Sequence, residues 1–395
     1  MLELTFGIGF VGLLAWVVTQ RSHLRLRVRL ELVTVLLALF LGALYAIAKR
    51  VEGGLGAITH LSDQVPWGLW ITFDLCGVAL ASGGFLIAAT VHVLHLKRFE
   101  PILRPTVLTA LIAYQLVAAV LVLDLGRPQR FWHPLIMWQH HSVMFEITLC
   151  LTLYTVVLMV EFLPAILERV GRPQLAEPLH RLAIPVVIAG VILSTLHQSS
   201  FGSLFLIVPQ KLHPLWYTPW LPALFLVSAA AAGLAVVILE SWLCSVFLQR
   251  QLPAVLIREL ARACQWVLWG YVMLKVGDLA WRGRWMDFTK PTWLGVLWIV
   301  EVVGGVAVPA VWLGRAWRRR TARGLTGSAW LVIGGLALNR ANISWFALIP
   351  AVGVVYVPSW MEVVITAALF VAGVAIFAAV SRLLPVFPRT DSTPA

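Results

Sequence analysis

Residues 67–95 read WGLWITFDLCGVALASGGFLIAATVHVLH, with Asp74 as their one carboxylate and no lysine or arginine. A helix of about 20 apolar residues crosses the hydrocarbon core of a bilayer, and this run exceeds that length. The run sets the reading of the whole chain because it recurs. Comparable stretches lie at 31–48, 106–124, 142–167, 182–203, 218–248, 262–281, 292–314, 327–348 and 360–383. A shorter run, 4–20, lacks the basic start and small-residue cleavage site of a secretory signal and reads as an eleventh span, with an interfacial helix as the alternative. The expectation is an all-α integral membrane protein of about ten or eleven transmembrane helices packed in bundles. Residues 1–30 hold the extra span and a basic loop, 31–388 the membrane domain, and 389–395 a short tail.

Composition agrees. Hydrophobic residues make up 60% of the 395, and charged residues only 12%. A soluble domain carries about 25% charged residues to solvate its surface. The net charge of +12 would suggest nucleic acid in a soluble chain. Here the basic residues fall in short loops between apolar runs, which excludes that partner and gives a topology signal. In an eleven-span arrangement, 20 lysines and arginines lie on the side of the 21–30 loop and the C-terminus, and 9 on the other. The first side is therefore expected in the cytoplasm, with loops 49–66, 125–141, 204–217, 282–291 and 349–359 outside. Many of the 19 tryptophans, among them Trp67, Trp138, Trp220, Trp293 and Trp360, sit at the ends of runs. An indole is satisfied there by both lipid and water.

An ionisable group in hydrocarbon costs several kcal/mol, about 3 on insertion scales, so each needs a reason. Asp74 lies seven residues into its span, roughly 10 Å below the outer surface at 1.5 Å per residue. It shares a helical face with Gly77, Ala81, Gly84 and Ala88, a small-residue stripe that turns it into the bundle. Glu146 enters its span from the same side, on a face with Cys150. His197 shares a face with Gly190 and Ser194, and Asp124 closes its span on the outer side. Lys275, Asp278, Glu301 and Arg340 also fall in the outer half; Lys275 and Asp278, three apart, fit a helix pair. Only Glu161 and Glu240 lie toward the other end. Short similar starts, Pro66-Trp67 before Asp74 and Pro291-Thr292-Trp293 before Glu301, hint at an internal repeat.

The four cysteines, Cys76, Cys150, Cys244 and Cys264, are scattered singly, so no iron–sulfur cluster and no metal site is expected in this chain. A haem b would need two facing histidines at one depth. His197 alone lies well inside a span, although His92, His95 and His180 could meet at the opposite end. A haem-bearing cytochrome anchor is thus one alternative function, and a transporter or ion channel using the buried charges is another.

Longer strings are more specific. They include Pro66-Trp67-Gly68-Leu69-Trp70-Ile71 with Phe73-Asp74-Leu75, Asp124-Leu125-Gly126-Arg127-Pro128 with Phe131-Trp132-His133-Pro134, and Phe145-Glu146. Then come Glu161-Phe162-Leu163-Pro164, His197-Gln198-Ser199-Ser200, Lys211-Leu212-His213-Pro214-Leu215-Trp216 and Arg382-Leu383-Leu384-Pro385. In these, over residues 31–388, the chain resembles the NrfD/PsrC family of polysulfide-reductase-type membrane subunits, nearest to its HybB-like nickel–iron hydrogenase branch. The resemblance implies a quinone-reactive subunit of a respiratory complex in the bacterial inner membrane, without a prosthetic group of its own. It would exchange electrons between menaquinone or ubiquinone and a periplasmic ferredoxin-like iron–sulfur subunit. That subunit would serve a catalytic module such as a nickel–iron hydrogenase, a molybdoenzyme or a multihaem cytochrome. Asp74, Glu146 and His197 are the expected proton-handling and quinone-binding residues, with Asp124 and Ser199 as further contacts. A histidine suits a hydrogen bond to a quinone carbonyl, and carboxylates suit proton relay.

Overall fold

The computed structural model describes residues 26–249, 253–284 and 292–387. The expected 4–20 span, the loop following it as far as residue 25 and the 389–395 tail lie outside the described residues. Within them run α1 (Leu26–Gly53), α2 (Leu69–Val93), α3 (Glu100–Asp124), α4 (Val143–Arg169) and α5 (Ala183–Leu206), then α6 (Leu221–Phe247), α7 (Ala254–Trp281), α8 (Trp293–Arg319), α9 (Ala322–Ser344) and α10 (Trp360–Leu383). The ten runs read from the sequence are thus ten helices of membrane length, and the chain is an all-α, multi-pass membrane protein. Nine are apolar enough to span by composition alone; α7 begins eight residues before its apolar run, and that run itself holds Gln265, Lys275 and Asp278. The added turns bury Leu256, Ile257 and Leu260 in the bundle, while Glu259 pairs with Arg98 at 3.0 Å and Arg262, just beyond, lies 4.8 Å over the Trp317 ring.

Helices α2–α5 pack as one group and α6–α9 as another, joined mainly by α6 against α5 and α2, and α9 against α2. The join is close because its residues are small. Ser82 donates to the Ala229 carbonyl at 2.6 Å, and a Cβ on Gly233 would lie 2.4 Å from the Gly83 nitrogen. Backbones can meet this way only where no side chain intervenes. The same crossing interrupts α2, which the sequence presents as one run. It is regular over Leu69–Leu80, restarts at Ser82–Ala88 and ends in wide turns over Ala89–Val93. A second wide-turned segment, Val300–Ala307, lies within α8, where Gly305 meets Gly335 of α9 in a like manner.

Helices α1 and α10 pair with each other and lie against α3, burying Ala43, Ala46, Val120, Leu123, Ile365, Ala368 and Ala372. Apolar side chains also cover the outside: Met273 is 69% exposed and Trp266 66%. On a soluble protein such a surface would aggregate, whereas lipid solvates it.

One end of the bundle is stitched by long-range hydrogen bonds. Leu69 donates its amide to Tyr356 Oη at 3.2 Å, and His213 its amide to the Ala347 carbonyl at 3.0 Å. Arg282 donates to the carbonyls of Pro214 and Tyr217 at 2.8 and 2.7 Å. Ser359 caps α10, donates to the Ile58 carbonyl and forms a reciprocal capping box with Glu362. Tyr356 is buried and donates to Glu362. Burial first, and then that carboxylate, push its phenol above the ordinary range, so it stays a donor at neutral pH. This end is called the site face below.

Candidate functional site

The small-residue stripe of α2 lies against α3. A Cβ on Gly77 would reach 2.5 Å from Val117, and one on Gly84 2.7 Å from Ala110. One turn before Gly77, Asp74 is therefore carried inward, 2% exposed. Its carboxyl lies within electrostatic reach of Asp124 and Tyr114, both on α3. Asp124 ends α3, half-buried. The adjoining turn is clasped by Arg50 at the end of α1, which donates Nε to the Leu123 carbonyl at 2.9 Å and Nη2 to the Leu125 carbonyl at 2.5 Å. A cation is well placed there, where unsatisfied carbonyls carry the negative end of the helix dipole.

From α5 comes His197, fully buried. Its Nδ1 is 3.1 Å from Tyr114 Oη, and its ring lies 4.7 Å from Phe201. The Tyr114 ring packs edge-on to Tyr154 of α4, with centroids 4.7 Å apart. Gly190 faces α4 closely, since a Cβ there would come 3.1 Å from Val157 Cγ1 and touch the Tyr154 ring. Asp74 and His197 thus lie by Tyr114, whereas Asp124 stands further along α3 toward Arg50 and Glu362. Glu146 stands in the first turn of α4, which Ser142 caps, and is half-buried; it is linked to the group through Cys150 one turn on, which lies near both Glu146 and Tyr114. Ser199 faces away from the most buried stripe, half-buried, and donates its hydroxyl to the Leu196 carbonyl at 2.9 Å. Its neighbour Gln198 is fully buried instead.

Several buried polar atoms on these helices have no hydrogen-bond partner within the protein: Asp74 Oδ1, Asp124 Oδ1, His197 Nε2, Trp70 Nε1 and both polar atoms of the Gln198 carboxamide. Leaving such a group unmet costs about 1–3 kcal/mol each. All of them belong to α2–α5.

The charges of α6–α9 mostly pair with one another, although Glu240 Oε1, Arg340 Nε and Asn342 Oδ1 also lack a partner. Lys275 of α7 pairs with Glu301 of α8, both buried. Glu301 also accepts from Trp216 Nε1 at 2.8 Å, Asn339 Nδ2 at 2.8 Å and Asn342 Nδ2 at 2.6 Å. Arg340 donates to Asn339 Oδ1, Ser228 Oγ and the Phe225 carbonyl, with its guanidinium 3.7 Å over the Phe225 ring. The expected pairing of Lys275 with Asp278 is not found. Asp278 instead binds Arg282 at 2.7 Å and Thr218 at 2.7 Å, because the wide turns of α8 bring a stronger partner to Lys275. A small cavity lined by Trp216, Thr218, Tyr271, Lys275 and Asn339 adjoins the pair. A carboxylate whose lone pairs are filled by four donors is a tie between helices.

Sequence reading singled out neither Tyr114 nor Gln198. Tyrosine and glutamine inside an apolar run carry no charge to mark them, and only contiguity with His197 could have drawn attention to Gln198. Trp216 was read as part of a loop string, with no sign that its indole reaches an intramembrane carboxylate.

An eight-helix core in two groups, with a buried Asp–Tyr–His cluster in one of them, defines an all-α, multi-pass membrane protein. The model of the NrfD polysulphide reductase family matches residues 57–356, and the chain belongs to that family. It is 37% identical over 349 residues to a protein of Nitratidesulfovibrio vulgaris, covering 85% of this chain and 89% of that one. It is 32% identical over 351 residues to the probable Ni/Fe-hydrogenase 2 b-type cytochrome subunit of Escherichia coli, covering 87% and 88%. The integral membrane subunit of a menaquinone reductase, again of N. vulgaris, is 28% identical over 378 residues, covering 88% and 89%.

Proposed function

We propose that this chain is the quinone-reactive membrane subunit of a respiratory oxidoreductase complex in the bacterial inner membrane. In this reading it exchanges electrons between menaquinone, or ubiquinone, and a periplasmic iron–sulfur subunit of a hydrogenase or related enzyme. The carrying observation is the set of unpartnered buried polar atoms on α2–α5, with His197 Nε2 and Asp74 Oδ1 among them. A quinone bound there would accept two electrons and two protons. His197 supplies a hydrogen bond to a carbonyl oxygen, Asp74 and Asp124 hold protons along a route toward the site face, and Glu146 lies at its edge. Phe201 and the tyrosine rings exclude water. The names of the hydrogenase and menaquinone reductase relatives support the same reading.

The partner dock belongs on the site face, because an electron donor must approach the quinone. Phe131, Trp132, Ile136, Met137 and Trp138 of the α3–α4 connection are exposed there, a composition suited to a packed interface. The excess of basic residues on the opposite side supports a periplasmic site face and a cytoplasmic C-terminus.

His197→Ala and Asp74→Asn in the assembled complex should each lower quinone reduction by about 10²–10⁴-fold, the usual cost of losing an acid–base group. Electron delivery from the catalytic module to a soluble dye should persist. Normal quinone turnover in both variants would overturn the site. The relative called a b-type cytochrome subunit supports a second reading, with haem at the far end. There His92 is half-buried, while His95 and His180 are exposed. A stoichiometric Soret band in the chain freed of every partner would favour that reading.

A further inference from the structure

We infer that Tyr114 is a positioning residue that fixes the tautomer of His197, placing the imidazole proton on Nε2. The inference rests on the quinone-site reading above. The tyrosine hydroxyl and His197 Nδ1 are 3.1 Å apart, and both side chains are fully buried. Edge-on packing against Tyr154 at 4.7 Å and the hydrogen bond to His197 hold the Tyr114 ring at both ends.

A neutral imidazole carries one proton, and the other nitrogen accepts. Two arrangements are possible. If Nδ1 carried the proton and donated to Tyr114 Oη, the phenolic hydrogen would turn to the neighbouring Ser194 Oγ, leaving the Ser194 hydrogen with no acceptor and Nε2 a bare acceptor. Two buried groups would then go unmet. If Tyr114 donates to Nδ1, the phenol and Nδ1 satisfy each other, and only the Nε2–H is left over. Unmet buried groups each carry a full desolvation cost, so the arrangement with fewer of them prevails. Nε2 has no partner within the protein, and its hydrogen is thereby kept for an acceptor brought in from outside. A carbonyl oxygen is such an acceptor, whereas a hydroquinone hydroxyl would have to rotate its own hydrogen away. Tyr114 thus makes the site a donor site in advance of binding.

The test uses the whole complex labelled with 15N-histidine. Of the ten histidines, the His197 signals are obtained as the difference between wild type and His197→Gln. The expected wild-type difference shows a protonated Nε2 and an unprotonated Nδ1. Tyr114→Phe keeps the ring and removes the donor. It should mix or reverse the tautomers and lower kcat for quinone reduction roughly tenfold, the worth of one hydrogen bond, while dye reduction by the catalytic module is unchanged. A protonated Nδ1 in wild type overturns the inference, as does a Tyr114→Phe complex with wild-type tautomer and wild-type kcat. If His197→Gln itself reduces quinone normally, it is the quinone-site reading that fails.

Discussion

Replacing Glu301 with Gln removes one charge from a fully buried place in the bundle. Glu301 accepts hydrogen bonds from Lys275, Trp216, Asn339 and Asn342. A carboxamide offers one oxygen and turns an NH2 toward donors on its other side. Lys275 would be left in the bundle with neutral partners, the carboxamide oxygen and Tyr271 Oη at 3.3 Å, and no counter-charge. Breaking a buried pair by removing one member costs about 3–5 kcal/mol, because the other charge stays buried and uncompensated. Removing both members is far gentler, since a well-packed apolar pair of similar volume is often neutral. The expected pattern for the complex in detergent, unfolded by denaturant and followed by tryptophan fluorescence, is therefore a large loss for Glu301→Gln. Most of that loss should be recovered in the Lys275→Met/Glu301→Leu double variant, which gives a large coupling in a double-mutant cycle. A Glu301→Gln complex within about 0.5 kcal/mol of wild type, the range of a surface substitution, would refute the view that this pair ties α7, α8 and α9 together.

Gly233→Val should drive a side chain into Ser82 and Gly83 and cost at least the roughly 1–3 kcal/mol typical of overpacking. Denaturant unfolding of the complex reads the loss, with Gly334→Ala as the control, because a Cβ at Gly334 would meet no atom within 4 Å; equal stability of the two variants would count against the close crossing of α2 and α6. A fluorescent reporter fused at the C-terminus should light up in the cytoplasm, and alkaline phosphatase activity there in its place would invert the orientation. Cross-linking of the native complex should join the 125–141 loop to an iron–sulfur partner; links confined to the 315–325 turn would move the dock to the opposite side.

Most of the helical frame was legible in the sequence because hydrophobic length alone decides where a chain crosses lipid. The limits of that rule show at α7. Its first turns carry Arg258, Glu259 and Arg262, which hydropathy excludes from a span but which α-helical structure continues through. The interruption of α2 was illegible for another reason: it depends on Ser82 reaching Ala229 on a helix 147 residues away. The burial of Asp74 and His197 could be read, since a charge or imidazole among small residues has to face protein. Half-burial of Glu146 could not, because a residue one turn from a cap faces lipid, loop or bundle according to neighbours that the local pattern does not specify. Tyr114 was hidden for the reason that makes it effective. Its ring is as apolar as its surroundings, and only its terminal atom carries chemistry.

The family match runs from residue 57 to 356, so it begins after α1 and stops before α10. Those two helices nevertheless furnish Arg50, which clasps the end of α3 beside Asp124, and Glu362, which receives the Tyr356 hydroxyl above the start of α2. The outermost pair is thus a set of end-clamps for a core built without it. An eight-helix version trimmed to the matched region would keep every proposed quinone ligand in its sequence. It would lose the guanidinium that holds the Leu123 and Leu125 carbonyls, leaving the Asp124 turn free to fray. Any attempt to build a minimal quinone-binding module from this scaffold therefore has to carry a substitute for Arg50, even though most of the helix that bears it only faces lipid.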